Sequence, residues 1–147
     1  MIKRDLLQKL SLAKQLQKSN LKKALLLAKG PPSGDDPVAV DYKECAFEKL
    51  LHENETELMQ IVGPSFFSEI EGLHKQWHQD YNRIYDLYYH HEKGFVSKWS
   101  GEQHKLSERE LVHAGAYISH LKEATCRIVH LLEMVESRIK TMKDDAL

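Results

Sequence analysis

His74 and His78 stand four residues apart in the run His74-Lys75-Gln76-Trp77-His78. Four residues is about one turn of α-helix, so both rings project from one face and can reach a single ion. Ile70, Trp77 and Tyr81 flank them, which puts the pair on the buried arc of its helix. Spacing alone favours a plainer explanation, two core histidines hydrogen-bonded to neighbours, because short motifs recur by chance. Cys45 shifts that balance. A buried cysteine by itself is most often a small apolar core residue. A thiolate with two imidazoles, however, makes three ligands suited to zinc.

The chain carries nine histidines, none before residue 52. The other candidates have plain explanations. Cys126 and His130 share the four-residue spacing but fall off their helix's apolar stripe, so both are expected at the surface. His113 and His120 lie two turns apart and are expected to be solvated. They stand in reserve as dimer-surface residues or substitute ligands. His90 and His91 close a helix, where positive charge suits the dipole. Tyr81, Tyr85, Tyr88 and Tyr89 with Trp77 read as core and dimer packing rather than a cofactor box. No HExxH and no nucleophile motif is present, so an enzyme is not expected.

Four helices must position these groups. Residues 2–29 read as the first, with Leu6, Leu10, Ala13, Leu16, Leu21, Ala24, Leu27 and Ala28 at three- and four-residue steps. Gly30-Pro31-Pro32-Ser33-Gly34 ends it. A second helix is expected from Asp41 to about His52, carrying Cys45, and a short turn of helix at Glu57–Val62. The third runs from Pro64, which suits a first turn, to about Glu92. Gly94 to Leu106 reads as a loop. Ser107-Glu108-Arg109-Glu110 matches a capping box, and the fourth helix follows to about Lys143. Short connections favour antiparallel packing. The expected fold is all-α, an antiparallel four-helix bundle with a short extra helical turn, in one domain spanning 1–147.

Bulk properties narrow the function. Twenty-one basic and 22 acidic side chains nearly cancel, which argues against a nucleic-acid partner. No stretch reaches the roughly 20 apolar residues of a membrane span, and no apolar signal-peptide core opens the chain. Two cysteines are too few for a disulfide framework, so a cytoplasmic setting is expected. The first helix is rich in lysine, a pattern able to meet anionic membrane or an acidic partner. A solvated face against acidic neighbours explains it more simply.

Taken together, these residues resemble the chemoreceptor zinc-binding domains of bacteria. The family's pattern is a first-helix His with an apolar residue three positions on, then Cys-x-apolar-Gly-x-apolar, then H-x-x-x-H. Here Cys45-Ala46-Phe47-Glu48-Lys49-Leu50 precedes His74-Lys75-Gln76-Trp77-His78 at a similar separation. The order of helices looks similar over nearly the whole chain, closest to the type that precedes diguanylate cyclase domains. The resemblance implies a zinc-binding, usually homodimeric bundle that tunes a signalling output, with Cys45, His74 and His78 as three of four ligands. It also implies that the cysteine–zinc pair can sense oxidants. A signalling partner is then expected in trans.

Two departures bear on the site. Residues 1–51 hold no histidine, so the first-helix ligand is missing; Ala13 is the expected replacement, with Leu16 three positions on. Gln17 and Asn20 face inward too, but neutral amides are poor zinc ligands. The motif glycine is Glu48, which is expected either to complete the site or to hold a water, against a plainer role as a solvated glutamate. The alternative function is a metal-free helical interaction protein derived from such a domain. A hemerythrin-like di-iron protein ranks last, because its early histidines are absent.

Overall fold

A computed structural model describes residues 2–29, 38–39, 41–89 and 105–143. The Gly30–Gly34 breaker, most of the expected loop after residue 93, and His90, His91 and His104 lie outside the described residues. Within them the chain is all-α: α1 is Ile2–Leu25, α2 Ala46–Glu53, α3 Glu55–Val62, α4 Pro64–Tyr88 and α5 Glu108–Thr141, with a 3-10 turn at Tyr42–Glu44. None of these helices is long and apolar enough to cross a membrane.

Local chemistry sets most of the boundaries. Ser107 accepts from the Glu110 amide, and Glu110 returns the bond to the Ser107 amide, so the expected capping box starts α5. Gly63 takes φ 84°, a conformation that favours glycine, and Pro64 follows at the first turn of α4. α1 ends at Leu25, and residues 26–29 continue as turns rather than helix.

The second helix departs most from expectation. The Asp41 carboxylate accepts from the Lys43 amide at 3.0 Å and starts the 3-10 turn instead of an α-helix. Cys45 is then extended, with φ −70° and ψ 135°, and serves as the N-cap of α2. The cysteine therefore sits before the helix, not on it. α3 starts at Glu55, earlier than expected, and only Asn54 separates it from α2. Asn54 is buried at this joint, donating to Leu50 O at 2.8 Å and accepting from Lys9 Nζ at 3.1 Å. These bonds satisfy a buried amide within the polar run His52–Glu55.

α5 runs opposite to both α1 and α4. Lys3 Nζ reaches the Lys140 and Met142 carbonyls, and Lys14 pairs with Glu136 at 2.6 Å. On the other side Glu69 holds Arg127, and Arg83 lies over Tyr117. Two apolar clusters result. One joins Leu6, Leu10 and Ala13 of α1 to Phe47, Leu51, Ile70 and the later half of α5. The other gathers Ala24, Leu27, Trp77, Tyr81, Ile84 and Leu121. Buried Gln17, Glu48, His74, His78 and Thr125 supply polar groups among them. Leu111, expected on the α5 stripe, is instead 53% exposed.

Candidate metal centre

His74 and His78 are both buried on α4, one turn apart. Phe47 packs on the His74 ring at 4.7 Å between centroids, and Trp77 on His78 at 5.2 Å. The pair thus bridges the two apolar clusters. Their Nε2 atoms face each other at 3.1 Å. Two nitrogens held tetrahedrally by one zinc lie about 3.3 Å apart, so the rings are already close to a ligating geometry. Cys45 Sγ completes the group: one donor atom from each of Cys45, His74 and His78 lies within 4.8 Å of the others.

The far nitrogens are fixed as well. His74 Nδ1 meets Glu48 Oε2 at 2.7 Å, and His78 Nδ1 meets the Ala39 carbonyl at 2.8 Å. Both partners are acceptors, so each Nδ1 carries the proton. A neutral ring then keeps its Nε2 lone pair available for an ion. This outer hydrogen bonding orients imidazole ligands and raises their basicity in zinc sites. Two imidazole nitrogens and one sulfur so arranged fit Zn2+, with soft thiolate and borderline imidazole matching the ion. Zinc held there would act as a Lewis acid at any further ligand.

The electrostatics follow from crowding three titratable groups under cover. Burial pushes the Cys45 thiol up, but hydrogen bonds with His74 and His78 outweigh it and bring the pKa down to about 5. Burial pulls His74 down, yet its bonds to Cys45 and Glu48 win and raise it. For Glu48, burial acts upward and the His74 contact overcomes it, leaving the carboxyl below its usual value. Without metal, these shifts favour the ionised forms of Cys45 and Glu48 and the protonated form of His74.

The structure brings together Cys45, His74 and His78 and moves the other expected participants. Glu48 is buried rather than solvated, and it stands behind His74 instead of in the fourth position. Ala13 is buried in the apolar cluster, while the α1 side chain at the sulfur is Asn20, whose Nδ2 donates to Cys45 Sγ at 3.5 Å. Two turns of α1 separate expectation from outcome, because packing against α5 rather than sequence motif sets that register. No fourth His, Cys, Asp or Glu joins the group among the described residues. Cys126, His113, His120 and His130 are exposed, as expected.

Sequence reasoning missed the Ala39 carbonyl, since a backbone acceptor leaves no signature. It also passed over His52, whose Nε2 meets Glu48 Oε1 at 2.9 Å. The four-residue step from Glu48 to His52 was the available signal. Comparison with protein-family models, curated proteins and solved structures found no match for the chain.

Proposed function

We propose that this chain is a zinc-binding sensory domain of bacterial signalling, of the chemoreceptor zinc-binding kind, with Cys45, His74 and His78 as the protein ligands. The observation that carries this reading is the convergence of three soft and borderline donors whose imidazoles are both fixed from behind. In this reading the chain is an antiparallel four-helix bundle, with α2 and α3 as one broken helix. It works as a cytoplasmic homodimer, acting on a signalling partner in trans.

The fourth position is open to exchangeable ligand in this reading, since the α1 side chain at the sulfur is the neutral Asn20 amide. Low thiol pKa also makes Cys45 a target for hydrogen peroxide. The sulfur attacks one peroxide oxygen, the O–O bond breaks, hydroxide leaves, and the thiolate becomes a sulfenic acid. Loss of the thiolate then weakens metal binding. In this reading the chain is a binding and sensing domain rather than an enzyme, and its sequence carries no HExxH motif.

Asn20 also favours a second reading, a metal-free interaction bundle that keeps the thiolate–imidazolium cluster after losing a ligand. Metal analysis of tag-free protein separates the two. A zinc ion bound by the chain and lost in Cys45→Ser supports the sensory domain. No bound metal after zinc supplementation overturns it in favour of the metal-free bundle.

A further inference from the structure

A second group of donors lies on the outer side of Glu48. Glu48, His52 and Glu71 each place one ligand atom within 4.8 Å of the other two. Glu48 and His52 face each other one turn apart on α2, and Glu71 comes across from α4, one turn before His74. Unlike the inner group, this one opens to solvent: His52 is 46% exposed, while the Glu48 side chain is 5% exposed.

Three observations raise it above an ordinary acidic surface. First, the donors are mixed, two carboxylates and one imidazole, drawn from two helices. Second, polar groups stand behind two of the donors, more loosely than at the inner site. His52 Nδ1, the nitrogen turned away from Glu48, faces Glu55 Oε2 at 3.6 Å, and Glu71 Oε1 accepts from the Tyr42 hydroxyl at 3.5 Å. Third, neither Glu48 nor Glu71 ion-pairs with a lysine or arginine among the described residues. Two neighbouring carboxylates therefore share only imidazoles as cationic partners. Their mutual repulsion is relieved when a dication sits between them.

We propose that Glu48, His52 and Glu71 form a second divalent-cation site, selective for borderline first-row ions with nitrogen and oxygen ligands and finished by water. Harder magnesium is disfavoured by the imidazole. The carboxylate of Glu48 is common to both places: Oε1 faces the outer site, and Oε2 holds the His74 ring of the inner one. The outer site stands without the zinc reading. If the inner site is also filled, repulsion between the ions makes the outer one fill second.

Cobalt(II) titration of the full chain tests this, because only a thiolate ligand gives a sulfur-to-cobalt charge-transfer band. The expected result is two cobalt ions per chain. The band saturates with the first, and visible d–d absorption grows through the second. His52→Ala with Glu71→Gln is expected to lower the stoichiometry to one while keeping the band, which also shows that the variant is folded. Cys45→Ser is expected to lose the band and keep one ion. A single ion in the unaltered chain, with the band, overturns the outer site and leaves the zinc reading standing. A second ion retained by the double variant also overturns it, since an exposed histidine elsewhere would then be the ligand. One ion without the band, lost in the double variant, supports the outer site and overturns the zinc reading.

Discussion

Two pairs in this molecule share one helical spacing and little else. His74 and His78 are buried on α4, each ring held by an acceptor at 2.7 or 2.8 Å, with Cys45 across from them. Cys126 and His130 are exposed on α5. The second pair lies on the outward arc of its helix, on either side of buried Ile128. Spacing thus makes convergence possible, and burial plus outer hydrogen bonds make it a site. A freely turning surface imidazole must lose rotamer freedom for each bond to an ion. In His74 and His78 that loss was incurred on folding.

The largest effect that can break this comparison is Cys45→Ser. It should remove the thiolate-bound zinc, lowering by one the zinc per chain measured by metal analysis, whereas Cys126→Ser should leave the count unchanged. Equal losses from the two variants would erase the distinction. Next comes Ile128→Ala, which should cost about 2–5 kcal/mol in urea unfolding because it opens a cavity in the core. His130→Ala, two residues away, should stay within about 0.5 kcal/mol. Glu48→Gln keeps the side chain's shape but weakens its hold on His74 Nδ1. Zinc affinity should fall about 10–100-fold in a chelator competition, with no comparable change from His130→Ala.

The smallest effect is a titration of metal-free protein. Thiolate absorbance of Cys45 should persist down to about pH 5 and vanish below it, since its pKa is lowered from 9.0. A depressed thiol pKa contributes stability that is fully present above the unfolded value and is lost as pH falls through about 5. Raised His74 adds the opposite trend, present at low pH and lost as pH rises through its folded value. The two trends overlap between about pH 5 and the raised folded value of His74. Replacing His74 with Ala should move the Cys45 midpoint upward; an unmoved midpoint would mean the ring is not what stabilises the thiolate.

The inner trio was legible because it rests on local rules. A four-residue step on an apolar arc predicts the histidine pair, and thiolate–imidazole ligand chemistry with the family motif joins Cys45 to it. The capping box of Ser107 and Glu110 was legible for the same reason. What escaped depends on partners far along the chain. The position of Asn20 at the sulfur follows from how α1 seats on α5, which no periodicity encodes. Asp41 was an available warning: a short acceptor at that place competes for nearby amides and favours a turn over helix. Leu111 satisfied the period of α5 but lies on its earlier, less covered part, so a correct stripe did not bring burial.

The placement of Cys45 ahead of α2 has a consequence for how the chain is tied together. Ala39 and Cys45 lie on the stretch leading into α2 and Glu48 in its first turn, and all three meet the α4 histidines. α2 and α3 have eight residues each, too short to be helical alone in water. A tie from Cys45 to His74 closes a loop of roughly 30 residues; a covalent link of that span removes about 3–4 kcal/mol of unfolded-chain entropy. An ion in the inner site would serve as a reversible clasp of the same topology. Its removal should quicken amide hydrogen exchange through α2 and α3 first, while α1 and α5, which pack on each other, stay protected.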